Sequence, residues 1–276
     1  MPNNQLTYTK LNQKAPKLQQ LEFIYQEVAL RMHQRLDYIK MQPKTILDLG
    51  SGLHIDAKLL SKHYPEASVY KLDLSDEMLK LYGNPQKSWF KLFNKNKDLI
   101  CGDAHSLPFK PLSMDIIWSS LLLPHITSLK ELFNQIYSTL NWDGMCLLSG
   151  LGVDTFKELR EAGLSTYDFP DMHLIGDLLI SAGFSDPVTD VEYIKLEYDT
   201  VEQLLSDVRV LGLGALAKDA KYLSKVKYLN LKDSLPKSNG KYILTLELFY
   251  AHAWKSSQAK HKARSEQIIQ FYPKVK

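Results

Sequence analysis

The stretch Thr45-Ile-Leu-Asp-Leu-Gly-Ser-Gly-Leu-His54 decides the fold of this chain of 276 residues. It begins with a short apolar run, turns at the two glycines Gly50 and Gly52, and continues into a segment with helical leucine spacing. A strand, a glycine turn and a helix in succession are typical of the start of a βαβ unit. The glycines let the backbone pass close to a ligand at the carboxyl end of the strand, where open α/β sheets bind small molecules.

The alternation of strands and helices continues beyond this unit. Strands are predicted over 67–72, 98–101, 114–119 and 145–149, with helices from residue 75 and over 129–140. This alternation predicts a parallel sheet with helices on both faces. After Gly150 the pattern changes, with helices over 154–161, 172–182 and 201–211 and strands over 188–193 and 242–254. The late strands predict an antiparallel hairpin at the edge of the parallel sheet, next to an inserted helical cap.

The chain divides into four segments by composition. Residues 1–41 form a polar arm and an amphipathic helix, whose apolar positions from Leu21 to Ile39 have helical spacing, and are a candidate lid. Residues 42–150 form the ligand-binding core, and residues 151–254 form the cap helices and the strands that complete the sheet. Residues 255–276 form a basic tail that we expect to be solvated; its cations include Lys255, Lys260, Lys262 and Arg264.

Composition excludes several classes of protein. The chain is 45% hydrophobic and 24% charged, which is ordinary for a globular protein, and its formal net charge of +3 does not predict a nucleic-acid surface. Cys101 and Cys146 lie in apolar runs without metal-ligand spacing, so we expect buried free thiols in a reducing compartment and no metal site. No apolar run approaches the roughly 18 residues that cross a bilayer, so we expect a cytoplasmic protein.

Three carboxylates accompany three successive predicted strands. Asp48 lies in the first strand, Asp73 closes the second, and Asp103 follows the third. Because the carboxyl ends of parallel strands meet at one edge of a sheet, these acids should converge on one cleft. There Asp73 could accept both hydroxyls of a ribose, and Asp103 could accept an adenine amino proton. NAD is disfavoured because Ile55 stands where a dinucleotide fingerprint needs its third glycine.

Four motifs resemble, in order and spacing, those of the class I S-adenosylmethionine (SAM)-dependent methyltransferases: Ile46-Leu-Asp-Leu-Gly-Ser-Gly52, Leu72-Asp-Leu-Ser-Asp-Glu-Met-Leu79, Gly102-Asp-Ala-His-Ser-Leu-Pro-Phe109 and Asp115-Ile-Ile-Trp-Ser-Ser120. The resemblance implies SAM as the cofactor. It also implies an α/β fold with a Rossmann-like class I methyltransferase sheet, mostly parallel with an antiparallel C-terminal hairpin, plus the inserted helical cap. The implied cofactor-binding residues are Asp48, Gly50, Gly52, Asp73, Leu74, Asp103, Ala104 and Ser119.

A narrower resemblance extends over nearly the whole chain. The segments 25–40, 171–184 and 207–212 are similar to the BioC-type malonyl-[acyl-carrier protein] O-methyltransferases of biotin synthesis. This implies methylation of the free carboxylate of malonyl-acyl-carrier protein, or of malonyl-CoA, with no nucleic-acid or membrane partner.

The chemistry of that reaction points to the catalytic residues. A malonyl carboxylate is already ionised near neutral pH, so the enzyme needs a cation that grips it rather than a strong base. Arg209 is the first candidate for this cation and Arg160 is the second. His125, after the fourth predicted strand, could line the methyl-acceptor side. The predicted catalytic residues are therefore Arg209 and His125.

Three positions depart from the family pattern. His54 replaces the third glycine of the turn, so its side chain must point away from the cofactor or narrow the pocket. An ungapped alignment places the expected lid tyrosine on Leu18 and the malonyl-reading arginine on Ser206.

These departures keep two alternatives open. One is a non-methylating assembly or hydroxylase-type factor on the same fold, similar to the mitochondrial complex I assembly factor that hydroxylates an arginine. The other is a methyltransferase that acts on another small molecule.

Overall fold

The computed structural model describes residue 12 and residues 15–82, 98–211 and 225–257. The strands are β1 (Thr45–Leu49), β2 (Ser68–Asp73), β3 (Leu99–Cys101), β4 (Met114–Ser120), β5 (Leu140–Leu151), β6 (Ser185–Tyr198), β7 (Lys237–Ser238) and β8 (Lys241–Trp254). The α-helices are α1 (Glu22–Gln34), α2 (Ile55–His63), α3 (Asp76–Tyr82), α4 (Leu129–Thr139), α5 (Lys157–Glu161), α6 (Met172–Ser181), α7 (Val201–Leu211) and α8 (Lys225–Ser234). Short 3-10 turns occupy Gln19–Leu21, Arg35–Tyr38 and Leu123–His125.

All eight strands belong to one sheet, in the order β3-β2-β1-β4-β5-β8-β6, with β7 paired to β8. The pairs from β3 to β5 are parallel, whereas β8 runs antiparallel to both β5 and β6. Strand β1 is buried almost throughout, as expected for a parallel strand covered on both faces. The structure thus confirms the predicted fold class, a mostly parallel α/β sheet with an antiparallel C-terminal hairpin.

Helices cover both faces of the sheet. One face packs against α1, α2 and α7, which contribute Val28, Leu60 and Val208 to its apolar core. The other face packs against α4 and α6, which contribute Phe133 and Ile175. The carboxyl ends of the parallel strands are left uncovered by these layers, and they form the edge at which a ligand can bind.

Several element boundaries differ from the sequence prediction. The predicted helix over 21–39 is an α-helix only from Glu22 to Gln34 and has a 3-10 turn at each end. Strand β5 begins at Leu140 instead of residue 145, and Asp143 takes a left-handed backbone conformation within it. Strand β6 continues well beyond 188–193 because it pairs with β8 along almost its whole length.

Two predictions about single side chains are wrong. Cys101 is exposed because it ends β3, which is the edge strand of the sheet, whereas Cys146 is buried as expected. Lys255 is buried rather than solvated, since its ammonium group donates to main-chain carbonyls of Tyr137 and Leu140. The other tail cations lie outside the described residues. In the described part of the chain, no helix has both the length and the apolar character that crossing a bilayer requires.

Candidate cofactor-binding cleft

A cleft of about 940 Å³, open to solvent, lies at the carboxyl ends of the parallel strands. Residues that end or directly follow β1, β2, β3 and β4 form its walls, and Leu18 and Tyr25 from the N-terminal segment complete it. The carboxyl edge of a parallel sheet is where open α/β folds bind small organic ligands.

The cleft gathers most of the predicted cofactor-binding residues. Its lining includes Gly50, Gly52, Asp73, Leu74, Asp103 and Ala104. The two others lie behind the lining. Asp48 is buried beneath the glycine turn, and Ser119 donates its hydroxyl hydrogen to the carbonyl oxygen of Leu49 at 2.9 Å. The next residue, Ser120, lines the cleft instead, because successive side chains of a strand point to opposite faces.

Asp73 holds the two backbone turns that frame the cleft. Its Oδ2 accepts the N–H of Gly52 at 3.0 Å, and its Oδ1 accepts the N–H of Ser75 at 2.8 Å. Burial raises the pKa of Asp73, while the N–H donors of Ser75 and Gly52 oppose that rise. The carboxylate therefore fixes the glycine turn against the start of α3 while lining the cavity.

The turn requires glycine at Gly50. Its φ is +76°, and a Cβ built there would approach Leu122 Cδ1 to 2.9 Å. Leu122 itself lines the cleft, so a side chain at Gly50 would push the wall into the ligand space.

An acidic pair, the buried Asp48 and the half-buried Asp56, lies beneath the turn. Asp48 is 1% exposed, and its Oδ2 has no hydrogen-bond partner among the described residues. Burial raises the pKa of Asp48 well above its usual value, and the charges of Asp56 and Asp73 raise it further. Burial likewise raises the pKa of Asp56 to about 6, although the indole N–H of Trp118 donates to Asp56 at 2.8 Å. A raised pKa favours the protonated form of these acids, and a cationic ligand nearby would favour their ionised form instead.

His54 points away from the cleft. It is the N-cap residue before α2, in a left-handed conformation with φ of 58°, and its side chain is buried without being among the residues that line the cavity. Burial lowers the pKa of His54 to about 4, and the nearby cations Lys71 and Lys58 lower it further. The histidine at the third glycine position therefore leaves the ligand space open.

Replacing His54 by Gln should reduce the acid sensitivity of folding. His54 has a pKa of about 4 in the folded protein against 6.5 for an unperturbed histidine, so the unfolded chain binds the extra proton between these values. Stability is therefore lost as the pH falls through this window, by about 2 kcal/mol for this group at about pH 5. Urea unfolding of wild type and His54→Gln near neutral pH and near pH 5 measures the difference.

The exposed His173 offers a matched control for this measurement. His173→Gln should lose as much unfolding free energy on acidification as wild type does. Identical pH dependence in wild type and His54→Gln would contradict the expected role of His54.

The N-terminal segment closes one side of the cleft. Leu18 and Tyr25 line the cavity, and Asn12 donates its amide hydrogen to Asp76 Oδ1 at 3.0 Å while accepting the hydroxyl hydrogen of Ser75. Burial raises the pKa of Tyr25 to about 12, with a further contribution from Asp73, so its phenol stays protonated. That the segment acts as a lid stays a prediction.

Sequence reasoning missed Tyr25 as a cleft residue because the ungapped alignment placed the lid tyrosine on Leu18. Helical spacing offered a signal, because Tyr25 lies seven positions after Leu18 and two helical turns bring both side chains to one face. Both residues are found at the cavity.

The predicted catalytic residues lie in different places. His125 lines the cleft from the 3-10 turn Leu123–His125. Arg209 is exposed on α7 and is not among the lining residues, although α7 contacts the turn Gln19–Leu21 of the N-terminal segment. Arg160 donates to the carbonyl oxygens of Val153 and Thr155, each at 2.5 Å, and so secures the loop after β5.

The comparisons with known proteins agree with this geometry. A sequence family described as "Methyltransferase domain" matches residues 47–148. The malonyl-[acyl-carrier protein] O-methyltransferase of Gallionella capsiferriformans is 36% identical over 243 residues, which cover 84% of this chain and 84% of that protein. The chain belongs to this family of O-methyltransferases. The relative of the same name from Laribacter hongkongensis is 34% identical over 91% of this methyltransferase chain and 89% of its own.

Solved structures support the fold of the methyltransferase. The YcgJ protein of Bacillus subtilis superimposes with a TM-score of 0.59 at 17% identity, over 84% of this chain and 99% of that one. At such identity the likeness shows the shared sheet architecture and no more.

SAM is the cofactor of this methyltransferase, and the cleft fits it. SAM carries an ammonium and a sulfonium group, and a cation near Asp48 favours the ionised form of that carboxyl, whose Oδ2 has no hydrogen-bond partner among the described residues. Asp73 and Leu74 would hold the ribose side, Asp103 and Ala104 the adenine side, and the glycine turn the amino-acid part. When bound, SAM supplies a methyl group activated by positive sulfur.

Proposed function

We propose that this methyltransferase acts on the free carboxylate of malonyl-[acyl-carrier protein], an early cytoplasmic step of biotin synthesis. The observation that carries the proposal is the similarity, over 84% or more of the chain, to relatives named for this activity. Similarity on this scale includes the cap and the C-terminal strands as well as the cofactor core. These are the parts of the chain in which acyl-group specificity would lie.

The reaction places modest demands on proton transfer. The acceptor carboxylate is ionised near neutral pH, so its oxygen forms the new bond to the methyl carbon while the carbon–sulfur bond breaks, and no proton moves. The protein must align these three atoms and exclude water. Leu18 and Tyr25 of the lid, with Leu121, Leu122 and Ile126 of the opposite wall, give the cavity the apolar enclosure that this requires.

Two residues are proposed to contact the malonyl carboxylate. His125 lines the cavity and could donate a hydrogen bond to an oxygen of the acceptor. Arg209 lies on a helix that contacts the lid at Gln19–Leu21, so its guanidinium could meet an acyl group that enters beside the lid. A guanidinium there would bind one oxygen of the acceptor carboxylate at the mouth of the cavity and leave the other oxygen to take the methyl group.

Replacing Arg209 by Ala should raise the KM for malonyl-[acyl-carrier protein] about tenfold, because a charge-assisted contact with the substrate is lost. Affinity for SAM should not change, since Arg209 is not a lining residue of the cofactor cleft. The matched control is Gln203→Ala, at an exposed position of the same helix. An unchanged KM in Arg209→Ala would remove this residue from the acceptor site.

Mass spectrometry of the acyl product tests the reaction itself. Incubation with SAM and malonyl-[acyl-carrier protein] should yield a methyl ester, heavier by one CH2 group, together with S-adenosylhomocysteine. Acetyl-[acyl-carrier protein] has no free carboxylate and should gain no methyl group, and malonyl-CoA shows whether the carrier protein is required. SAM binding without any malonyl ester would overturn the proposal and favour a non-methylating factor or another acceptor.

A further inference from the structure

His105 connects two loops at the rim of the cleft. Its main-chain N–H and its ring Nδ1 both meet Asp103 Oδ1, at 2.9 and 2.8 Å. Its other ring nitrogen, Nε2, lies 3.4 Å from the main-chain nitrogen of Ser128 and 3.1 Å from Thr127 Oγ1. The loop after β3 and the loop that leads into α4 are thus joined by one imidazole ring.

These contacts determine the tautomer of the ring. A main-chain N–H can only donate, so Ser128 makes Nε2 an acceptor. The ring hydrogen of neutral His105 is therefore on Nδ1, where it is donated to Asp103. Two donors on the same oxygen restrict the rotation of the Asp103 carboxylate beside the cavity that it lines.

A second Asp-X-His turn in the chain shows what is particular to this one. Asp171-Met-His173 has the same local bonds, from the His173 main-chain nitrogen and from Nδ1 to Asp171 Oδ1, both at 2.7 Å. The side chains of Asp171 and His173 are 51% and 77% exposed. Those of Asp103 and His105 are only 26% and 17% exposed. The Asp-X-His turn alone therefore occurs twice in the described residues. What distinguishes the His105 turn is its contact with a second loop and its position at the cleft.

We propose that His105 is a positioning residue for the cofactor. It orients the Asp103 carboxylate toward the adenine amino group, and it holds the Thr127–Ser128 loop against the loop that follows β3. The inference rests on the adenine-binding role proposed for Asp103, and it does not depend on the identity of the acyl substrate. His105 itself lines the cavity, so a change in its hydrogen bonds would alter the wall that meets the ligand.

Calorimetry with S-adenosylhomocysteine tests this role. His105→Ala should weaken binding about tenfold, whereas His105→Asn should stay within about threefold, because the Asn amide can donate from the position of Nδ1. His173→Ala removes the corresponding ring bond from the exposed turn and should bind as wild type does. Equal binding by wild type and His105→Ala would overturn the inference.

A modified ligand separates positioning from a general loss of structure. In the analogue of S-adenosylhomocysteine with unsubstituted purine in place of adenine, Asp103 has no amino hydrogen to accept. His105→Ala should then change the Kd less than about twofold. Equal losses with both ligands would show that His105 acts only on the fold and would overturn the inference. Failure of wild type to bind S-adenosylhomocysteine would overturn the cleft assignment, whereas failure to methylate malonyl groups would overturn the acceptor proposal alone.

Discussion

Replacing Asp73 by Asn is expected to weaken the binding of SAM and S-adenosylhomocysteine about 100-fold, equivalent to about 3 kcal/mol. Both carboxylate oxygens of Asp73 accept main-chain N–H groups, from Gly52 and Ser75. An Asn side chain must turn an NH2 group toward one of these donors, so one bond is lost and a buried N–H is left unsatisfied. The glycine turn would then shift at the place where the ligand meets the backbone.

Titration calorimetry measures this loss, and circular dichroism checks that Asp73→Asn is folded. Glu77→Gln is the matched control, because Glu77 is in the first turn of α3 nearby and does not line the cleft. Its ligand affinity should equal that of wild type. An Asp73→Asn variant that binds within about threefold of wild type would show that the turn tolerates the change.

The parallel half of the fold could be predicted from sequence because its determinants are local. Each strand is a short apolar run that ends in a glycine, an aspartate or a turn, and a helical pattern follows most of them. The order of motifs then placed the predicted cofactor-binding residues at the carboxyl ends of the strands. Gly50, Gly52, Asp73 and Asp103 meet at one cavity, as this reasoning requires.

The extent of β6 could not be predicted in the same way because it depends on distant partners. Charged residues recur along the sequence of β6, and most of its residues are exposed or half-buried. Such a sequence is typical of an exposed segment. In the structure Arg31 on α1 and Arg35 in the 3-10 turn that follows it pair with Glu192, and Arg35 also pairs with Asp190. These arginines lie more than 150 residues earlier in the chain than the acids of β6. The ion pairs between them therefore could not be inferred from sequence spacing.

Lys255 is a comparable case, because the contacts that bury it come from residues more than a hundred positions away. Its Nζ donates to the main-chain oxygens of Tyr137 at 2.7 Å and Leu140 at 2.9 Å, at the C-terminal end of α4. It also lies over the rings of Tyr137 and Trp142, at 4.7 and 5.0 Å from their centroids. A cation in this position caps the last carbonyl groups of the helix and favours the negative end of its dipole.

Replacing Lys255 by Met should lower the free energy of unfolding by about 3 kcal/mol, because the apolar stem is kept while two carbonyl groups lose their charged donor. Urea unfolding measures the change.

Lys130→Met is the matched control: Lys130 is exposed in the first turn of the same helix, where a positive charge opposes the dipole, so its loss should be neutral. Burial lowers the pKa of Lys255, so on raising the pH the folded protein loses this proton before the unfolded chain does, and the difference between wild type and Lys255→Met should widen at alkaline pH. A variant as stable as wild type would mean that water replaces the ammonium group without loss.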